Sequence, residues 1–71
     1  MTDFIELRRR INESGMTMTS IAKISGMLRE TLYNRLNGKG DFTASEMLGL
    51  SDALHLSNDE RDRIFFAKDV E

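Results

Sequence analysis

Thr17-Met18-Thr19-Ser20-Ile21-Ala22-Lys23-Ile24-Ser25-Gly26-Met27-Leu28-Arg29-Glu30-Thr31-Leu32-Tyr33-Asn34-Arg35-Leu36-Asn37-Gly38 is the stretch on which the fold turns. Thr17 is a good N-cap, because its hydroxyl can accept one of the amide protons that a first helical turn leaves unpaired. Ile21 and Ala22 follow at positions that face inward, and Gly26 ends a helix of only about two turns. After the turn Gly26-Met27-Leu28, a second helix is expected over roughly Arg29 to Asn37, with Leu32 and Leu36 stacked one turn apart and Gly38 as its stop. Ala22 is the small residue that two closely crossing helices need. The expected product is a pair of short helices across a tight turn, with the tip of the second, opening on Arg29 and Glu30, held outward.

The flanking sequence reads as further helices. Asp3 can cap a first helix, with Glu6 three residues on reaching back to it, and Phe4, Leu7 and Ile11 make one apolar stripe. Arg8, Arg9 and Arg10 fill its other faces, and Gly15 can end it in the left-handed conformation. Thr43-Ala44-Ser45-Glu46 forms a capping box, with Phe42 placed to staple onto Met47, and Met47, Leu50 and Leu54 point inward. Ser57-Asn58-Asp59-Glu60 is a second box, opening a fifth helix toward Ile64, Phe65 and Phe66. A strand could enter only over 64–67. The predicted fold is all-α, a compact bundle of five short helices in one domain spanning 1–71.

Composition narrows the chemistry. The chain has no cysteine and one histidine, so neither a disulfide framework nor a thiolate metal site is available, and no cofactor is expected. No phosphate-cradling glycine loop or nucleophile–base constellation can be assembled, which argues against an enzyme and a small-molecule substrate. His55, where the fourth helix ends, is explained by a left-handed turn or a favourable contact with the helix dipole. Charges at Asp3, Glu6 and Arg8 argue against a secretory signal, and no apolar run reaches the ~18 residues of a membrane span. A cytoplasmic location is the expectation. A 71-residue core supplies only about 3–5 kcal/mol, so self-association would help.

The net charge of −2 hides an uneven distribution. Residues 1–39 hold seven basic and four acidic side chains, whereas residues 40–71 hold three basic and eight acidic ones. Such a chain can turn a basic face toward phosphates while its other half faces water or a partner.

Residues 16–42 resemble the Cro and CI type of phage repressor, the lambda-repressor-like helix-turn-helix family. The resemblance is carried by Gly15-Met16-Thr17, Ile21-Ala22-Lys23, Gly26-Met27 and Thr31-Leu32-Tyr33-Asn34-Arg35-Leu36-Asn37-Gly38-Lys39, of which Leu36-Asn37-Gly38-Lys39 is the most specific part. The remainder, from Asp3-Phe4 to Ile64-Phe65-Phe66, is similar to the very small single-domain repressors of phages of Gram-positive hosts. Met18 stands where the family often has Gln, and Leu28 where it often caps the second helix with Ser or Thr.

The resemblance implies a helix-turn-helix over about 17–37 that binds duplex DNA and regulates transcription, with the helix at about 29–37 in the major groove. It places Arg29, Glu30, Tyr33 and Asn34 against base edges. The residue types suit that role, since Arg pairs with guanine, Asn with adenine and Glu with the cytosine amino group. Arg10, Thr17, Lys23, Arg35, Asn37 and Lys39 are the phosphate candidates. For Lys23 and Arg35 a solvated face is the equal alternative, and Asn37 also reads as a helix C-cap. Homodimers would read two half-sites. The C-terminal stretch 56–71 is the candidate dimerisation element: Phe65 and Phe66 are adjacent, so both cannot face one small core, leaving an interface or local packing open. A protein-interaction module that keeps the fold without strong DNA binding, as an anti-repressor or antitoxin-like partner, is the competing expectation.

Overall fold

Four short polar side chains start four of the five helices. In the computed structural model, which describes residues 1–68, Asp3 accepts from the Glu6 amide at 3.0 Å to open α1, Phe4–Ser14. Thr17 accepts from the Ser20 amide at 3.1 Å to open α2, Met18–Ser25. Thr43 and Ser57 do the same for α4, Ala44–Ala53, and α5, Asn58–Phe65. The remaining helix, α3, spans Arg29–Leu36 and begins at Leu28 with no side-chain cap. Both expected capping boxes are complete: the Thr43 amide donates to Glu46 at 2.9 Å and the Ser57 amide to Glu60 at 2.8 Å.

The reciprocal half expected at α1 is not made. The Asp3 amide instead donates to the Ile64 carbonyl at 2.7 Å, so the end of α5 occupies the donor that Glu6 would have taken. Glu6 turns to Arg9, and the hydrogen bond from that guanidinium holds its carboxyl below the usual range.

Packing of the apolar stripes fixes where α3 sits. Leu7 and Ile11 of α1, Ile21 and Ala22 of α2, and Leu32 and Leu36 of α3 close on Leu50, Ala53 and Leu54 at the end of α4 and on Ile64 and Phe65 of α5. The closest approach is between α2 and α4. A Cβ built at Gly49 would lie 2.3 Å from the Ser25 carbonyl oxygen, so only glycine lets these backbones meet. The resulting radius of gyration, 11.2 Å, is that of a compact chain of this length, for which about 11 Å is expected.

At the C-terminus α5 continues through Phe65, and no strand occurs among the described residues. Phe65 is 2% exposed and packs edge-on against Phe42, with ring centroids 5.3 Å apart at 71°. The paired interface expectation therefore divides. Phe65 is a core residue, and Phe66, 58% exposed, is the ring left outside. Phe42 and Met47 line one depression with them. His55 has φ 55°, the left-handed turn expected at the end of α4. No helix among the described residues is long and apolar enough to cross a membrane.

Candidate nucleic-acid interface

The turn between α2 and α3 is built from three residues with their backbone groups accounted for. Gly26, at φ 74°, ends α2, and the Met27 amide returns to the Ala22 carbonyl at 2.9 Å. This 6→1 bond closes the helix end and sends the chain off at once into the next helix. The Leu28 carbonyl then accepts the first bond of α3 from the Leu32 amide at 3.0 Å.

Two leucines decide which side of α3 faces outward. Leu32 is fully buried and Leu36 nearly so. At about 100° per residue, Arg29, Glu30, Tyr33, Asn34 and Asn37 fall within one arc of about 140° that begins about 20° from Leu36 and runs round to the side opposite the leucines. All of these are exposed except Asn34, which is half-buried. The four residues expected to meet base edges are thus brought onto one face. Within it the Arg29 guanidinium sits over the Tyr33 ring, 5.2 Å from its centroid, and reaches the phenol oxygen at 3.4 Å. That contact ties the first turn to the second by a cation–π attraction, which preorganises both side chains.

The expected phosphate contacts separate into two groups. Arg10 is bound to Glu60 at 2.6 Å, and Arg35 to Glu46 at 3.1 Å, each about four-fifths buried. Bonds from the Ser57 amide, together with Arg10, hold the Glu60 carboxyl down at about 2. Burial works to raise Glu46, but the Thr43 amide and Arg35 outweigh it and leave it below the usual range. Arg35 also lies about 170° around the helix from the middle of the outward arc. Its second bond goes to the Lys39 carbonyl at 3.2 Å, so it braces the loop after α3. These two arginines hold elements together, and their charge is already matched.

Lys23, Arg29 and Lys39 are exposed and make no ion pair among the described residues. The Thr17 hydroxyl is engaged at the α2 N-terminus, donating to Ser20 at 3.1 Å while it accepts the cap bond. Asn37 is the C-cap of α3, its amide shared between the Tyr33 and Asn34 carbonyls. One contact here had no signal in a local reading. Arg8, 28 residues earlier, donates to the Leu36 carbonyl at 2.8 Å and to Asn37 Oδ1 at 3.0 Å.

No family model, curated protein or solved structure matches this chain. What the outward face can bind follows from its geometry. That geometry offers donors and cations on a convex helix face. Among the described residues no group of three or more His, Asp or Glu side chains is placed to hold a metal ion.

Proposed function

We propose that this chain is a sequence-specific duplex-DNA-binding regulator of transcription, a helix-turn-helix repressor of the Cro and CI type, with α3 as the recognition helix. The observation that carries the reading is the outward arc of Arg29, Glu30, Tyr33, Asn34 and Asn37 on a helix locked from behind by Leu32 and Leu36. A convex helix of this width fits the major groove, and its first-turn residues are those that reach base edges. Lys23, Arg29 and Lys39 supply positive charge for the flanking strands, while the matched pairs of Arg10 and Arg35 keep the scaffold rigid. Two copies would read half-sites about one helical turn apart, with Phe66 available to the subunit contact.

The test is titration of duplex selected from a random pool, followed by fluorescence anisotropy at increasing salt. Affinity falls with a log–log slope of several units if several phosphates are neutralised. Arg29→Ala relaxes preference at one base position by roughly 1–3 kcal/mol, whereas Lys39→Ala weakens all sequences alike. Binding to no duplex, or binding insensitive to salt, removes the proposal.

One observation favours the competing role as a protein-interaction module. Leu28, at the entrance to α3, is 76% exposed, and an apolar side chain there offers nothing to a phosphate. Under that reading Leu28→Ser abolishes partner binding, while the salt titration on DNA shows no specific complex.

A further inference from the structure

We propose that Arg8, Asn37 and Lys39 form a seat for one backbone phosphate of the bound duplex, in which Arg8 sets the direction of the Asn37 amide. The inference rests on the reading of α3 as the helix that enters the groove, and adds to it a site on α1.

A guanidinium carries only donors, so the Asn37 atom that faces Arg8 at 3.0 Å is its oxygen. The Asn37 Nδ2 group consequently points away from Arg8, and it donates to nothing among the described residues. Arg8 makes both of its bonds through one terminal nitrogen, Nη2. The guanidinium keeps its remaining N–H groups for a ligand, on a side chain that is exposed. Unlike Arg9, Arg10 and Arg35, Arg8 forms no ion pair among the described residues.

The position needs that charge. The C-terminal end of a helix presents carbonyl oxygens and the negative end of the dipole, which repel an anion. Arg8 covers the Leu36 carbonyl directly and sets a positive charge against that negative end.

Lys39 completes the set. Its amide donates to the Asn34 carbonyl at 2.8 Å, and its carbonyl accepts from Arg35 at 3.2 Å, so its backbone is pinned just beyond Asn37. Gly40 follows at φ 79°, and a Cβ there would lie 2.5 Å from Arg35 Nη1. Glycine lets the bracing guanidinium reach the loop. A forked cation and a neutral amide donor meet at the edge of the outward arc, and a point cation follows two residues on in the chain. This is the donor set of a phosphodiester oxygen pair, with Arg giving directed bonds and Lys undirected charge.

The experiment uses the full chain and its selected duplex, with single phosphates replaced in turn by neutral methylphosphonate. For the wild type, one replacement in the strand flanking each half-site lowers affinity about tenfold, as loss of a charge-assisted bond should. In Arg8→Gln that same replacement costs less than about twofold, and the salt slope falls by about 0.9 per subunit. Asn37→Ala, which leaves Arg8 in place, also shrinks the effect of that replacement and serves if Arg8→Gln does not fold. Variants that bind more weakly yet lose the same factor as wild type at every replaced phosphate, with an unchanged slope, overturn the seat and leave Arg8 a brace for α3. In that outcome the salt-dependent binding of the wild type still stands, so the seat fails without the proposed function. Absence of any salt-dependent duplex binding overturns both.

Discussion

Helices α3 and α5 are each eight residues long, yet they are secured in opposite ways. α5 is held by its own ends. Ser57 and Glu60 cap it reciprocally, two acidic residues sit in its first turn where the dipole favours them, and Arg10 clamps Glu60 from α1. α3 has neither a capping box nor an ion pair at its start, where the Leu28 side chain offers no hydrogen bond and Glu30 is the one acidic residue of the first turn. It depends on Leu32 and Leu36 in the core and on Arg8 reaching across from α1. Local stability is given up at the start of α3. In α3 the N-terminal amides have no side-chain cap, and the outward side chains are tied only to one another, as Arg29 is to Tyr33, or to Arg8 at Asn37. In α5 the same groups are consumed by the fold.

Substitutions in the two helices separate these two kinds of support. The largest effect is expected from Leu32→Ala, which empties the anchor behind α3 and costs roughly 2–5 kcal/mol. Because a domain of this size has only about 3–5 kcal/mol to lose, urea titration followed by circular dichroism should find most of the variant unfolded or close to it at 25 °C. Ser57→Ala and Thr43→Ala come next, each removing one half of a capping box for about 1 kcal/mol in the same titration. A loss at α5 no greater than that of an ordinary surface substitution would contradict the view that it is held by its ends.

Leu28→Ser runs the other way. It gives α3 the cap it lacks and should raise stability by about 0.5–1 kcal/mol, seen as a later urea midpoint. The smallest effect concerns acid. Glu60 has its carboxyl lowered from 4.5 to about 2 in the folded chain, so its contribution is fully present above about 4.5. That contribution is lost as pH falls through the window between those values. Glu60→Gln should therefore lower Tm at pH 7 and narrow the further drop between pH 4.5 and 2, as thermal melts across that range would show.

What could be read from the linear chain was whatever depends on near neighbours. The five helices, the caps at Thr17, Thr43 and Ser57, the stops at Gly15 and Gly26 and the left-handed His55 each follow from groups within about four residues. The outward face of α3 was equally legible, since helical spacing alone gathers Arg29, Glu30, Tyr33 and Asn34 on one arc that excludes Leu32 and Leu36. Partners chosen across the fold were not. Glu6 went to Arg9 because Ile64 had taken the Asp3 amide, a bond set by how α5 returns to α1. Arg10 and Arg35 looked as free as Lys39 until Glu60, fifty residues on, and Glu46 came beside them. Arg8 and Gly49 had no local pattern at all, because their roles exist only where α1 meets the end of α3 and where α4 lies on α2.

That α3 is the surface that meets DNA is read most plainly by amide NMR of the full chain during titration with its selected duplex. The shifts should concentrate on Arg29, Glu30, Tyr33, Asn34 and Asn37 and weaken as salt is raised, with α5 little changed. Shifts confined to α4 and α5, or a map unaffected by salt while α3 stays unperturbed, would contradict it.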